Sequence, residues 1–258
     1  MIITLIGSGN VGTHLGKRLH QRGYKINQVF SRKLENATLL AQAIESKGIN
    51  DLTKIDQHAD LYIISVHDDA IEKVARVLSR NGIKEKLIVH TSGAASSEVL
   101  APYFSKFGIF YPLQTFSKNR KVRFSNIPIC IYAKRTEDVF LLKKLGRRIS
   151  QKVVALSDEE RAKVHVAAVM VNNFTNHLFH LSHSILAKEK IDFDILKPLI
   201  QETVLKIQNH TPFEMQTGPA RREDEETIKK HLAYLEKFPE YLPIYQLLSK
   251  SIHNAYRR

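Results

Sequence analysis

IITLIGSGNVG, residues 2–12, runs from a short apolar, β-prone segment straight into three glycines spaced G-x-G-x-x-G. Apolar residues then recur four positions apart, as they do on one face of a helix. Gly23 follows where a helix needs a residue in the left-handed conformation, and YKINQVFS, residues 24–31, supplies a second strand pattern. Strand, glycine loop, helix and strand within about thirty residues is the arrangement in which this motif binds the pyrophosphate of a dinucleotide.

Each glycine of the motif has its own physical task. Gly7 permits a tight turn, Gly9 leaves room for the phosphates, and Gly12 allows the helix to pack closely on the strand. The free N–H groups near Asn10 and Val11 lie at the positive end of the predicted helix, where they can bind an anion. A purely structural glycine turn is the alternative interpretation.

The end of the second predicted strand indicates which dinucleotide is bound. In chains that bind NAD, an Asp or Glu about 20 residues beyond the loop bonds the ribose hydroxyls. Here Ser31-Arg32-Lys33 stands at that place, and no carboxylate does. A hydroxyl followed by two cations suits a 2′-phosphate, which arginine can bind with forked donors. We therefore predict NADP as the cofactor; the alternative is that Arg32 and Lys33 merely begin a solvated helix.

Further β-prone segments alternate with helical patterns along the first 157 residues: LYIISV (61–66), LIVHTSG (87–93), GIFYPLQTF (108–116), NIPICIYA (126–133) and QKVVALS (151–157). This alternation predicts an α/β fold with a Rossmann-like, mostly parallel sheet and helices on both faces. Ligands of open sheets bind beyond the carboxyl ends of the strands. The loop residues expected to face the nicotinamide there are Ser65, His67, Ser92, Gly93 and Gln114, and Ser65, Val66 and His67 are predicted to bind the cofactor. Asp68 or Asp69 is predicted to cap the next helix.

The second half of the chain carries helical patterns only. Ser157, followed three residues later by Glu160, forms a capping box that predicts a helix running to about Lys188. Between Val164 and Ala187 this segment contains no Lys, Arg, Asp or Glu. One broad face is apolar, and a narrow polar stripe on the other side is formed by His165, Asn172, Asn176 and His183.

An uncharged polar stripe is atypical of a solvated helix face, which normally carries Lys and Glu. We expect this helix to be shielded on most sides, with its stripe facing a cleft or another subunit. Side chains that are simply hydrogen-bonded within a helix interface are the alternative. His177, His180 and His183 fan over about 120° and no carboxylate joins them, so we predict no metal site.

Composition bounds the class of protein. The chain has 258 residues, of which 43% are hydrophobic and 25% charged, as is typical of a globular protein. No apolar run is long enough to span a bilayer, and the single Cys130 cannot form an internal disulfide, so we expect a cytoplasmic protein without a membrane partner. The net charge of +13 is spread over basic clusters without a nucleic-acid docking motif. We interpret these clusters as solvated surface and predict no nucleic-acid partner.

Several motifs together carry a resemblance that covers nearly the whole chain: GSGNVG, SRK, SVHDDAI, HTSGA, YPLQTF, an H-x6-NN helix and TGPARR-x-D-x2-T-x3-HL. The set resembles bacterial NADP oxidoreductases that join a Rossmann-like domain to a helical C-terminal domain of unknown function. The wider kin, by fold, are pyrroline-5-carboxylate reductase, deazaflavin-dependent NADP reductase and the 6-phosphogluconate dehydrogenase group. The resemblance implies an NADP-binding domain at 1–156 and, at 157–258, an all-α domain of the 6-phosphogluconate dehydrogenase C-terminal type. It also implies a homodimer paired through the C-terminal helices.

The function predicted from these features is hydride transfer between the nicotinamide of NADP and a small carbonyl, imine or alcohol. β-Hydroxyacid dehydrogenases of this fold carry a Lys followed by Asn on the first long helix, but this chain has His165 there and no lysine, so their mechanism cannot be transferred. We expect His165 to act as acid or base, because imidazole titrates near neutrality. Asn172 or Asn173 would orient the substrate, with Ser92 at the facing strand end. A non-catalytic, NADP-responsive regulator or scaffold is the alternative.

A methyltransferase would share the glycine-rich first loop. Its second strand normally ends in an acid that holds the ribose of S-adenosylmethionine. Ser31-Arg32-Lys33 supplies no acid at that place. The sequence therefore disfavours this third interpretation.

Overall fold

The computed structural model describes residues 1–257. The chain divides into one compact unit, Met1–Asn173, and a second unit that begins at Phe174. Within the described residues, the strands of the first unit form one eight-stranded sheet: β1 (Ile2–Ile6), β2 (Lys25–Phe30), β3 (Lys47–Ile49), β4 (Leu61–Ile64), β5 (Leu87–His90), β6 (Phe107–Pro112), β7 (Ile129–Ala133) and β8 (Val153–Ala155). The boundary predicted after residue 156 separates a cofactor-binding domain from a substrate and dimerisation domain, and it stays a prediction.

The strands lie in the order β3-β2-β1-β4-β5-β6-β7-β8. Strands β1 to β6 pair in parallel, β7 is antiparallel to β6, and β8 is parallel to β7. The α-helices of this unit are α1 (Asn10–Gln21), α2 (Leu34–Gln42), α3 (Asp68–Arg80), α4 (Thr136–Ile149) and α5 (Asp158–Ala168). The carboxyl ends of β1, β4, β5 and β6 therefore share one edge of the sheet, which is where ligands of such sheets bind.

Both faces of the sheet are buried. On β4, Leu61 and Ile63 pack into an apolar cluster that includes residues of α1, whereas Tyr62 and Ile64 pack into a second cluster that includes residues of α3. Side chains alternate between faces because a strand has a period of two, and sheets covered on both faces have continuously apolar strands. The predicted fold class, a mostly parallel Rossmann-like sheet followed by a helical part, is confirmed.

Strand β3 lies outside the sequence predictions. Its three residues, Lys47, Gly48 and Ile49, carry no apolar pattern. Its position depends on close packing instead, since a Cβ on Gly48 would lie 2.8 Å from the backbone nitrogen of Thr38 in α2. A contact of this kind joins residues distant in sequence and leaves no periodic signal.

The capping prediction for α3 is wrong in its residue. His67 is the N-cap, and no side chain among the described residues caps this helix. Asp68 and Asp69 occupy its first turn instead. Their carboxylates stabilise the helix through its positive end, because negative charge is favourable near a helix N-terminus.

The predicted capping box of α5 is confirmed. The backbone N–H of Glu160 donates to Ser157 Oγ at 3.1 Å, and that of Ser157 donates to Glu160 Oε2 at 2.8 Å. Residues 169–174 then form a π-helical turn. The helices of the second unit follow it: α6 (Thr175–Lys188), α7 (Lys197–Asn209), α8 (Pro212–Met215), α9 (Glu225–Leu235) and α10 (Leu242–Tyr256). Across residues 1–257, no helix is long and apolar enough to cross a membrane.

Candidate functional site

The three glycines between β1 and α1 differ in what surrounds them. Gly7 has a φ of +117°, and a Cβ on it would lie 2.7 Å from the carbonyl carbon of Ser65. A Cβ on Gly12 would overlap the carbonyl oxygen of Gly7. A Cβ on Gly9, by contrast, would meet nothing within 4 Å among the described residues. Two glycines therefore close the loop tightly, and the third borders open space at the helix end.

The N-terminus of α1 is available to an anion. Gly9 is its N-cap and no side chain of residues 1–257 caps it, while the first turn contains no acid. Asn10 is exposed and Val11 half-buried. The backbone N–H groups of a first helical turn have no partner within the helix. Open space beside these donors suits a pyrophosphate, so the residues present fit a bound dinucleotide.

Ser31, Arg32 and Lys33 follow β2, the strand beside β1. The Ser31 N–H donates to the carbonyl of Ile49 at 3.0 Å, which fixes the start of this segment. Arg32 and Lys33 are exposed, and Lys33 is the N-cap of α2. Their cationic groups therefore sit near the carboxyl edge of the sheet, on the side of β1 away from β4.

Ser65, Val66 and His67 follow β4 on the other side of β1. Ser65 is buried and its Oγ accepts a hydrogen bond from Thr91 Oγ1 at 3.2 Å, whereas His67 is exposed. This bond links the ends of β4 and β5. The three predicted cofactor segments thus lie at the ends of adjacent strands at one edge of the sheet.

One face of α5 holds the loop that follows β5. Asp158 and Arg161 are three residues apart on this helix and form an ion pair. The Arg161 side chain is 1% exposed, and its guanidinium donates to the carbonyls of Gly93 and Ala95. The sequence gives no sign that this pair is special, because an acid and an arginine three residues apart at the start of a helix are typical of solvated surface.

Asp158 completes this attachment through its second oxygen. Its Oδ2 accepts from Ser96 Oγ at 2.5 Å, from the Ser97 N–H at 2.7 Å and from Ser97 Oγ at 2.9 Å. Burial alone would raise the pKa of this carboxyl, but the hydrogen bonds from Ser96, Arg161 and Ser97 together lower it. The carboxylate therefore stays charged beside Arg161.

His165 lies one turn beyond Arg161, on the same face of α5. Its Nδ1 is 3.4 Å from the Tyr111 hydroxyl near the end of β6, and both side chains are half-buried. Gly93 permits this approach, since a Cβ there would overlap His165 Nδ1 and lie 2.8 Å from Tyr111 Cζ. Burial raises the pKa of Tyr111, so its phenol stays protonated. Tyr111 belongs to the YPLQTF motif, but the sequence alone indicates no role for it.

The remaining predicted catalytic residues occupy different surroundings. Ser92 Oγ accepts from the N–H groups of Ala94 and Ala95, at 3.1 and 2.9 Å, and so shapes the loop after β5. Asn172 and Asn173 are exposed in the π-helical turn, where Asn172 Nδ2 donates to Asn173 Oδ1 at 3.3 Å. Neither asparagine hydrogen-bonds to His165 in the part of the chain that the structure describes.

His90, at the end of β5, is buried beneath the loop that follows this strand. Its Nδ1 accepts from the Ser92 N–H at 3.2 Å and its Nε2 donates to the carbonyl of Ser96 at 3.3 Å. Burial lowers the pKa of His90 to about 4. Protonation would place a second proton between Nδ1 and the Ser92 N–H, so this imidazole is neutral in the native protein.

We expect acidification to destabilise the fold through His90. Because the pKa is about 4 when folded and about 6.5 when unfolded, the unfolded state binds the extra proton between these values. The free energy of unfolding should therefore fall as pH drops from about 6.5 to about 4, by up to about 3 kcal/mol. Urea denaturation at several pH values measures this, with His90→Asn as the non-titrating comparison. Parallel pH profiles for the two proteins would contradict the prediction.

Comparisons with known proteins identify related families and structures. Residues 2–93 match the family described as NADP oxidoreductase, coenzyme F420-dependent, and residues 127–252 match a domain of unknown function, DUF2520. A Bacteroides fragilis protein whose crystal structure is named "putative NADP oxidoreductase" is 41% identical, with 98% of each chain covered and a TM-score of 0.93. The chain belongs to this NADP oxidoreductase family. The resemblance predicted from the sequence motifs is confirmed.

More distant structures share the fold of this chain. An imine reductase from Myxococcus stipitatus in complex with NADP+ is 15% identical, covering 99% of this chain and 94% of its own, with a TM-score of 0.70. A pyrroline-5-carboxylate reductase from Coxiella burnetii is 14% identical, covering 97% of each chain, with a TM-score of 0.61. At these identities the likeness concerns the fold alone. No curated protein matched the chain.

Proposed function

We propose that the protein is an NADP-dependent oxidoreductase that transfers a hydride between nicotinamide and a small carbonyl, imine or alcohol. The observation that carries the proposal is the pairing, along one sheet edge, of an uncapped helix end beside open space with a half-buried His165–Tyr111 contact. The first arrangement suits a dinucleotide pyrophosphate, and the second supplies a proton-transfer group. Membership of the NADP oxidoreductase family and NADP-bound fold relatives support the same assignment.

The proposal gives each segment a role toward the cofactor and substrate. The loop residues Gly7, Gly9, Asn10, Val11 and Gly12 would hold the pyrophosphate, and Ser65, Val66 and His67 would line its path between β1 and β4. When bound, the nicotinamide supplies or accepts the hydride. His165 would exchange the accompanying proton, and Ser92 would hold the loop beneath the substrate. Asn172 and Asn173 would orient the substrate.

The preference for NADP is assigned to Ser31-Arg32-Lys33. Replacing Arg32 and Lys33 together with glutamine removes two exposed cations without changing the core. Since a hydrogen bond to a charged group contributes about 1.5–3 kcal/mol, we expect the Kd for NADPH to rise about tenfold to a hundredfold while the Kd for NADH changes little. Isothermal calorimetry with both coenzymes measures the two values. Equal losses for both would contradict a 2′-phosphate site at this place.

Turnover is tested by following NADPH absorbance with 2-methyl-1-pyrroline, pyrroline-5-carboxylate and glyoxylate. The matched comparison is His165→Asn, which should bind NADPH as the wild type does yet reduce the substrate more slowly. A non-catalytic regulator would behave differently: the wild type would bind NADPH, reduce no compound, and bind a partner protein equally well with or without the substitution. Absence of NADPH binding would exclude both functions.

We also propose that the protein pairs through its C-terminal helices. Within the second unit, α7 contains no buried residue although it presents several exposed apolar side chains: Leu199, Val204, Leu205 and Ile207. Apolar side chains exposed along a whole helix are atypical of a monomer and indicate an interaction surface. Sedimentation equilibrium should give twice the 29.5 kDa chain mass, and Leu205→Lys should shift the protein toward that monomer mass. A cytoplasmic location stays a prediction.

A further inference from the structure

The contact between Tyr111 and His165 is built by three separate elements of the first unit. Tyr111 comes from β6, His165 from α5, and Gly93 from the loop after β5 lies against both. A side chain at position 93 would force the two rings apart. The rings meet edge to face with centroids 6.3 Å apart. Such an arrangement fixes the phenol and the imidazole relative to each other.

Arg161 keeps His165 in this place. Its guanidinium binds the carbonyls of Gly93 and Ala95, so the helix turn that precedes His165 is attached to the same loop. Asp158 adds three hydrogen bonds from Ser96 and Ser97. Because α5 is held by this buried network, the distance between His165 Nδ1 and the Tyr111 hydroxyl depends on Arg161. Arg161 is therefore a positioning residue for the pair.

We propose that the Tyr111 hydroxyl delivers the proton that accompanies hydride transfer, and that His165 Nδ1–H then restores it. The proposal rests on the proposed oxidoreductase function and names the residue that touches the substrate. For an imine, the hydride forms a C–H bond as the C=N double bond becomes single, and the nitrogen takes the Tyr111 proton. NADPH is oxidised, the imine is reduced, and the phenolate takes a proton from the His165 imidazolium. Solvent reprotonates His165.

The neighbouring polar groups are less suited to this step. His90 is fully buried with both ring nitrogens hydrogen-bonded, and Ser92 Oγ accepts two backbone N–H groups. Asp158 is a charged carboxylate already paired with Arg161. Tyr111 is protonated, half-exposed and in contact with a group that can replace its proton. Of these groups, the Tyr111 hydroxyl is therefore the proton donor that a substrate can reach and whose proton His165 can replace.

Steady-state kinetics of Tyr111→Phe test the relay, using the compound of the three-member panel that the wild type reduces fastest. We expect kcat to fall about 100-fold with the Kd for NADPH unchanged. Tyr103→Phe is the matched control, because Tyr103 bonds Glu72 away from this contact. The double variant Tyr111→Phe/His165→Asn should be no slower than Tyr111→Phe alone, since the two residues act in series.

Nitrogen-15 NMR of the imidazole provides a readout that needs no turnover. The relay requires the Nδ1 proton of the protonated imidazole to be hydrogen-bonded to the Tyr111 oxygen, so the Nδ1–H resonance of His165 should be shifted by this bond in the wild type and lose the shift in Tyr111→Phe. A wild type that reduces a panel compound while Tyr111→Phe keeps its rate within threefold would overturn the relay and leave the proposed function intact. An Nδ1–H resonance that is the same in the wild type and in Tyr111→Phe would overturn it as well. A wild type that reduces no compound would overturn the proposed function, and the relay with it.

Discussion

Replacing Arg161 with methionine is expected to lower the free energy of unfolding by about 3 kcal/mol, because the guanidinium is 1% exposed and its loss leaves two backbone carbonyls and a carboxylate, itself 27% exposed, without this partner. The substitution keeps much of the apolar stem but removes every donor. The carbonyls of Gly93 and Ala95 lose their guanidinium partner, and the Asp158 carboxylate loses its counter-ion. Urea denaturation at pH 7 measures the change.

Two comparison variants separate the physical causes. Arg76→Met removes an arginine from an exposed pair with Glu72, whose side chains are 50% and 52% accessible, and should leave stability unchanged. Arg161→Met/Asp158→Asn removes both charges, so it should be more stable than Arg161→Met alone. If Arg161→Met unfolds at the wild-type urea concentration, the buried network does not hold α5 in solution.

Loss of the Arg161 guanidinium should also impair the proposed proton-transfer site. Arg161 lies one turn before His165, so a loosened α5 would disturb the contact with Tyr111 at the end of β6. Turnover should then fall while NADPH binding persists, since the glycine loop belongs to a different part of the sheet edge. Stability and catalysis are thus coupled through one side chain that contacts neither coenzyme nor substrate in the proposed mechanism.

The first half of the fold could be predicted because its signals are local. The glycine spacing, the apolar runs of β1, β4 and β5, and the capping box at Ser157 each lie within a few consecutive residues. Strands buried on both faces must be apolar throughout, and that requirement is visible in a single sequence. The residues proposed to bind the dinucleotide could be chosen for the same reason.

The surroundings of His165 could not be predicted in this way. Tyr111, Gly93 and Arg161 meet it only after β5, β6 and α5 have packed, and no spacing rule relates positions 93, 111 and 165. Arg161 illustrates the limit: its burial follows from which face of α5 lies on the loop, and not from its neighbours in sequence. The candidate proton-transfer site is therefore formed by contacts between residues far apart in the sequence, which a single sequence does not reveal.

Alanine substitutions at two glycines of the loop, Gly12 and Gly9, are expected to affect stability and coenzyme binding differently. Gly12→Ala should destabilise the protein by about 3 kcal/mol, because the added methyl overlaps the carbonyl oxygen of Gly7, a backbone atom that cannot rotate away. Gly9→Ala adds the same methyl where nothing lies within 4 Å among the described residues. Its stability should stay within about 1 kcal/mol of the wild type, the usual difference between Gly and Ala at an N-cap.

Gly9→Ala, which should barely change stability, should strongly weaken binding of the coenzyme. The methyl of Gly9→Ala fills the space proposed for the pyrophosphate, so a folded protein should bind NADPH about 100-fold more weakly, a loss of about 2.7 kcal/mol. Thermal unfolding and NADPH fluorescence titration on the same samples compare the two variants. A stable Gly9→Ala protein with wild-type affinity would place the phosphates elsewhere, because no dinucleotide can share that volume with a side chain. A stable Gly12→Ala protein would show instead that the loop can open, because only a shift of the backbone can remove the overlap with the Gly7 carbonyl.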